Sequence, residues 1–477
     1  MQDNFDLVVV GTGFASSFFL HAYLANAKPT ARILVLERGA VRDHLWHLAH
    51  EDELERESQS AIVNRTPDKP WTFKLAFGGG SNCWWACTPR MLPEDFKLRS
   101  TFGVGADWPV GYDELEEFYC EAEEIMQVSG PSDGSPYPRS RPYPQPPHRF
   151  SDADKLLKRH FADQFFQQPC ARPTRPTASG RPRCCASGVC NLCPIDSKFT
   201  VLNELKAMFA DPRVTMRVGA SVESLETSNG SVGGVRYLFE GREQTARGDL
   251  VVLGANALFN AHILLRSGLE QRELGRGLVE QAPAAVSVML DGVDNFSGST
   301  SVTGLGYMLY AGAHRSRRAA GLIESWNVPE LRNERGKWRQ RLKLKILFED
   351  LRQPGSAVAL DASSPSVPAI EFAGVSDYAQ KAYAELDRDL ERILAPLPVE
   401  SWKVYRPSKP NEAHILGTTV MGDDAASSVV DRNLVHHGLR NLLVLGGSTF
   451  PTAAPANPTL TICALSLRAA RRVTSKQ

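Results

Sequence analysis

The stretch that most constrains this chain stands near its start: Asp6-Leu-Val-Val-Val-Gly11-Thr-Gly13-Phe-Ala-Ser16, followed by Ile33-Leu-Val-Leu-Glu37-Arg38-Gly39. Four consecutive apolar residues read as a buried strand. Two glycines then allow a turn tight enough for backbone to approach a pyrophosphate, and the next residues open a helix whose N-terminus favours negative charge. A second apolar strand ends in an acid, Glu37, which returns beside the first turn and can accept hydrogen bonds from a ribose. Ser16 stands where the usual third glycine would be and is small enough for close packing of helix on strand. Strand, turn, helix, strand and acid in that order predict a dinucleotide site in a βαβ unit. Whether the dinucleotide is FAD or NAD is not decided by this stretch.

A second glycine-rich stretch, Phe77-Gly-Gly79-Gly80-Ser81-Asn-Cys83-Trp84-Trp85, offers close backbone approach beside broad apolar walls and is expected to touch the same ligand. Residues 127–183 are rich in Pro, Arg and Ser, a composition of extended wrapping chain. Within them Ser151 to Phe166 is expected to form one capped amphipathic helix. A helix is predicted from Ser197 to Ala210. Strands around Val214–Val218, Ser221–Leu225, Gly234–Phe239 and Asp249–Gly254, with an Asn229-Gly230 turn, bring the chain back to the opening sheet.

Residues 286–411 read as an antiparallel sheet backed by a helix from Ser376 to Leu394, with the charges of Arg332 to Lys345 on a solvated face. The expected fold class is α/β. A Rossmann-like cofactor domain takes residues 1–90, 197–285 and 412–477, a wrapping region residues 91–196, and an interleaved α+β substrate domain residues 286–411.

The 477 residues include 54 basic and 54 acidic side chains, a balance that gives no general electrostatic pull toward nucleic acid. No apolar run reaches the length of a membrane span, and Asp3 and Asp6 stand where an export signal would carry positive charge. The expectation is a cytoplasmic chain without a direct membrane span. Four of the nine cysteines crowd between Cys184 and Cys193. From Cys185 the spacing is Cys-x4-Cys-x2-Cys, with Pro194 following, a spacing known for iron-sulfur ligation. A structural zinc, a local disulfide or a purely structural role are the competing readings.

The end of the chain carries His414-Ile-Leu-Gly417-Thr, Gly446-Gly447 after an apolar strand, and Asn457-Pro458-Thr459 opening a helix. An imidazole there suits removal of a proton from an alcohol. Together with the opening fingerprint and the loop at Gly78 to Ser81, these residues resemble the glucose-methanol-choline (GMC) flavoprotein oxidoreductases over nearly the whole chain. The nearest branches are bacterial FAD-dependent glucose and gluconate dehydrogenases and pyranose oxidases.

The resemblance implies FAD as cofactor, His414 as catalytic base and Asn457 as its partner on the substrate oxygen. It implies cofactor contacts from Gly11, Gly13, Ser16, Glu37 and Arg38, from Gly79, Gly80, Ser81, Cys83 and Trp84, and from Val222, Gly447, Pro458 and Thr459. It also implies a three-iron 3Fe-4S cluster on Cys184, Cys190 and Cys193. Cys83 stands where several sugar-oxidising relatives have a flavin-linking histidine, and Gly446 where an aspartate is common.

The activity so implied is oxidation of a sugar or polyol hydroxyl to a carbonyl or lactone, with electrons passing through the cluster to an external acceptor. A cytochrome or a small chaperone-like subunit is the implied partner, and co-export with a partner would place the chain in the periplasm. The rival readings are a pyranose-oxidase-like enzyme using oxygen or quinone with structural cysteines, and a non-catalytic electron-transfer or assembly subunit.

Overall fold

The apolar runs of the first and second strands pair in parallel in the computed structural model, which describes residues 4–132 and 134–475, leaving Asp3 outside the described residues. Asn4–Val10 sits at the centre of a seven-stranded sheet, flanked by Ile33–Glu37 and Arg242–Leu253. Val9 lies opposite both Val35 and Val252, and Val252 opposite Leu443 of the short strand Leu442–Val444. These strands are buried on both faces, so they read as continuous apolar runs. The helix Phe14–Asn26 and the C-terminal helix Thr459–Thr474 pack together against this sheet.

The sheet is extended by the antiparallel strands Ser221–Ser228, Ser231–Phe239 and Arg242–Leu253. Asn229 and Gly230, both at positive φ, turn the chain between the first two, as a two-residue hairpin turn requires.

A second, six-stranded antiparallel sheet runs in the order Val399–Tyr405, Ala282–Leu290, Arg341–Phe348, Gly321–Trp326, Val302–Leu309 and Phe165–Gln167. One face is apolar: Val286, Leu344 and Ile346 pack against Leu386, Leu390 and Ile393 of the helix Asp377–Leu394, whose start Ser376 caps through its hydroxyl. The opposite face turns toward the first sheet, and the candidate site lies between them. The architecture is the mixed α/β arrangement expected.

Two local expectations are corrected. The helix begun by Ser151 is only Asp152–His160, because Phe165–Gln167 leaves it to pair with Val302–Leu309 on the edge of the second sheet. Ser197 to Ala210 does not form a regular helix. Asn203 returns its side-chain amide to the carbonyls of Asp196 and Lys198, and the segment winds as a π turn, Val201–Leu205, followed by a 3-10 turn, Lys206–Ala210. No helix among the described residues is long and apolar enough to cross a membrane.

Candidate active site

A cavity of about 680 Å³ runs from the first turn of the parallel sheet to the second sheet. At its sheet end Gly11 adopts φ +87°, and a β-carbon there would lie 2.7 Å from the carbonyl oxygen of Gly254, so both conformation and space demand glycine. Gly13 lies at the start of Phe14–Asn26, whose free backbone N–H groups face the cavity wall.

Thr12, between the two glycines, is a residue that the sequence reading did not single out. Its hydroxyl donates to Glu37 Oε2 at 2.6 Å and accepts from Gly78 N at 2.9 Å, joining the dinucleotide turn, the acid and the second glycine loop. Glu37 Oε1 accepts from Gly39 N at 2.7 Å, and burial pushes the carboxyl above its ordinary range.

Gly79, Gly80, Cys83 and Trp84 line the cavity, as do Arg38 and Val222. Trp84 is fixed edge-on against Phe14 at 4.7 Å, and its indole N–H donates to Phe199 O at 2.8 Å. Gly447, Pro458 and Thr459 face the same cavity, the last two at the start of the C-terminal helix. Two serines read as cofactor contacts stand behind the wall. Ser16 donates to Val10 O at 3.0 Å, and its hydroxyl occupies the space that a β-carbon on Gly254 would need. Ser81 donates to Gly78 O at 2.7 Å and accepts from Val201 N at 3.1 Å. Both are packing residues of the glycine turns. With these glycine turns, a helix N-terminus and a buried acid on one wall, the residues present fit FAD.

His414 and Asn457 line the far end of the cavity, and Gln281 braces His414 from behind. The Gln281 amide nitrogen lies 2.7 Å from Ala454 O, 3.0 Å from Pro455 O and 3.0 Å from Ala456 O. Carbonyls only accept, so this nitrogen must face them and Oε1 must face His414 Nδ1, which it meets at 2.5 Å. Nδ1 therefore carries the ring proton, and Nε2 keeps its lone pair. Glu280 accepts from the His414 backbone N–H at 3.1 Å and is itself ion-paired with Lys69. Burial, and then the nearby Lys345 charge, hold His414 far below an ordinary histidine, at about 3, so its imidazole is neutral.

Asn457 donates from Nδ2 to Glu324 Oε1 at 3.2 Å, and Trp326 Nε1 donates to Glu324 Oε2 at 3.0 Å. Glu324 faces Lys345 across adjacent strands, and Lys345 pairs with Glu412 at 2.5 Å. Burial raises Glu412 to about 7 against the opposing pull of Lys345. Lys345 was expected on a solvated face. The strand Arg341–Phe348 alternates as expected, but its charged side faces this cavity, and alternation alone cannot distinguish water from a pocket.

Cys184 and Cys190 lie close enough to interact, and both, with Cys87 and Cys170, surround the Arg172 guanidinium. Among the described residues no three His, Cys, Asp or Glu side chains form a metal-holding group, and all nine cysteines are free thiols. Cys184 Sγ meets the Thr300 hydroxyl at 3.6 Å, whereas Cys193 Sγ accepts from Ser197 N at 3.3 Å. Cys190 is buried near the guanidinium of Arg172, and Cys185 is exposed. Lys198 donates to the carbonyls of Asn82, Trp84 and Asn191, stitching this segment to the glycine loop. The geometry here is that of packing, so the iron-sulfur and zinc readings lack a ligand set and the disulfide reading lacks a bonded pair.

A dinucleotide turn and a neutral, oriented imidazole on one cavity define an oxidoreductase of the dinucleotide-binding flavoprotein class. Comparison with known proteins narrows this. Residues 368–466 match the family model for GMC oxidoreductase. The chain is 26% identical to the fructose dehydrogenase large subunit of Gluconobacter japonicus, over 98% of this chain and 97% of that protein. It is 27% identical to the 6'''-hydroxyparomomycin C oxidase of Streptomyces lividus, over 89% and 84%. Its fold superposes on pyridoxine 4-oxidase from Mesorbium loti with a TM-score of 0.70 at 17% identity, covering 98% and 99% of the two chains. Residues 368–466 are thus a GMC oxidoreductase C-terminal domain, and the homologues matched over most of the chain are dehydrogenases and oxidases acting on CH–OH donors.

Proposed function

We propose that this enzyme oxidises a hydroxyl of a sugar or polyol to the carbonyl or lactone, with His414 as the base. The observation that carries the reading is the Gln281 contact, which leaves His414 Nε2 as an open proton acceptor facing the cavity. His414 takes the hydroxyl proton at Nε2, and Gln281 Oε1 steadies the imidazolium through Nδ1–H. Asn457, held by Glu324, orients the substrate oxygen. Gly11, Gly13, Glu37 and the Gly79–Trp84 loop would hold FAD, which would supply a two-electron acceptor for the substrate's carbon-bound hydride. Contacts that strengthen as the alkoxide forms accelerate the step.

The large-subunit name of the Gluconobacter relative supports a partner subunit. Anaerobic addition of sugars and polyols to FAD-loaded protein is expected to bleach the flavin with at least one of them. Full cofactor loading with no bleaching by any would favour a non-catalytic subunit. Iron and acid-labile sulfide in stoichiometric amounts would restore the cluster reading.

A further inference from the structure

At the far end of the cavity His414 and Asn457 each hold an acceptor without a partner in the protein. His414 offers the Nε2 lone pair, because its ring proton is on Nδ1. Asn457 donates from Nδ2 to Glu324, which turns Oδ1 away from that carboxylate. Asn457 is 93% buried and lines the cavity, yet Oδ1 has no hydrogen-bond partner within the protein among the described residues. A buried acceptor of this kind is costly unless a donor reaches it.

The charges point the same way. Glu324, Glu412 and Lys345 line this end, and the single ammonium group is shared: Lys345 pairs with Glu412 and sits across the strand from Glu324. Glu324 is 2% exposed and makes no ion pair within 4 Å among the described residues, its oxygens meeting only Asn457 and Trp326. Lys345 is engaged by Glu412, so the buried Glu324 carboxylate has no ion-pair partner of its own, and burial makes such a charge expensive.

We infer that the substrate is an amine-bearing sugar or polyol, bound as its ammonium ion, with Glu324 as the residue that selects it. An ammonium group carries three donors and no acceptor, which complements both the orphan Asn457 oxygen and the unpaired carboxylate. The same wall disfavours sugar acids, whose carboxylate would meet Glu324 and Glu412. This inference rests on the proposed hydroxyl oxidation and narrows its substrate class.

The test uses FAD-loaded protein and matched alcohols: glucosamine, glucose and N-acetylglucosamine, with serinol against glycerol as a smaller pair. Binding is read from the flavin absorbance perturbation and turnover from anaerobic flavin reduction. The expected result is a preference of ~10-fold or more in kcat/KM for each ammonium compound over its neutral partner, the size of one well-placed charged contact. Glu324→Gln keeps an acceptor for Asn457 but removes the charge, and the ratio is expected to collapse toward unity. If that variant does not load FAD, the wild-type ratios alone decide.

Equal or better use of the neutral partners by the wild type would overturn the inference and leave hydroxyl oxidation standing. A preference for ammonium compounds that survives intact in Glu324→Gln would overturn the assignment to Glu324. Absence of flavin reduction by every alcohol would overturn the underlying reading as well.

Discussion

The two ends of the cavity are made differently. At the cofactor end the binding surface is largely backbone, shaped by glycine turns and helix starts, the first of them within one short run of chain, and several side chains there lock that backbone in place. Thr12 is typical, holding Glu37 and Gly78 together. At the substrate end the surface is side chains drawn from separate strands and loops. Glu324 and Lys345 meet through strand register, Glu412 and His414 arrive from a loop, and Asn457 comes from the start of the last helix. Backbone sites tolerate little variation in conformation, whereas side-chain sites are respecified by exchanging residues on a fixed sheet. One end therefore fixes the cofactor, and the other is free to choose the substrate.

The comparison can be broken most severely at Gly11. Gly11→Ala forces a side chain into a positive-φ position against the Gly254 carbonyl. We expect loss of FAD loading and a lower Tm, measured by flavin content and thermal unfolding; normal loading would show that the turn is not the cofactor's seat.

At the other end Gln281→Leu removes the acceptor that holds the His414 tautomer. Flavin reduction is expected to fall on the order of ten-fold with substrate affinity little changed, and Gln281→Glu, which restores an acceptor at Nδ1, should recover part of the rate. A change in KM alone would make Gln281 a packing residue. Thr12→Val should weaken FAD binding by roughly five-fold, the worth of one net hydrogen bond, without altering the substrate ratio. An altered ratio would show that the two ends are coupled.

A further effect, confined to acid, is on stability. The unfolded His414 imidazole takes a proton below about 6.5, while the folded one stays neutral down to about 3. The unfolded chain thus binds more protons in that window, so His414 lowers stability as pH falls from about 6.5 toward 3 and has no effect above it. Thermal unfolding of His414→Gln should show a shallower acid slope than the wild type; identical slopes would contradict a neutral, enclosed imidazole.

This division also explains what was legible in the sequence. The dinucleotide turn could be read because strand, glycines, helix and acid follow one another, and the antiparallel sheet and its helix could be read from period. Ser16 and Ser81 were assigned to the cofactor because they sit inside the motif, but their hydroxyls serve neighbouring backbone. His414 and Asn457 came from the resemblance of their local motifs. Gln281, Glu324, Lys345 and Glu412 carry no local signal, since only pairing across strands and loops brings them together. The cysteines show a mixed case: Cys184 and Cys190 stay together around Arg172, joined there by the distant Cys87 and Cys170, while Cys193 turns to the backbone of Ser197.

The central claim is that His414 removes the hydroxyl proton as the substrate carbon delivers hydride. Single-turnover anaerobic flavin reduction in wild type and His414→Ala, with a substrate protiated or deuterated at the reacting carbon, tests it most directly. The account predicts FAD retention in both proteins, a rate lowered by roughly 10² or more in the variant, and a deuterium-sensitive reduction step. Near-normal reduction by the loaded variant would contradict it.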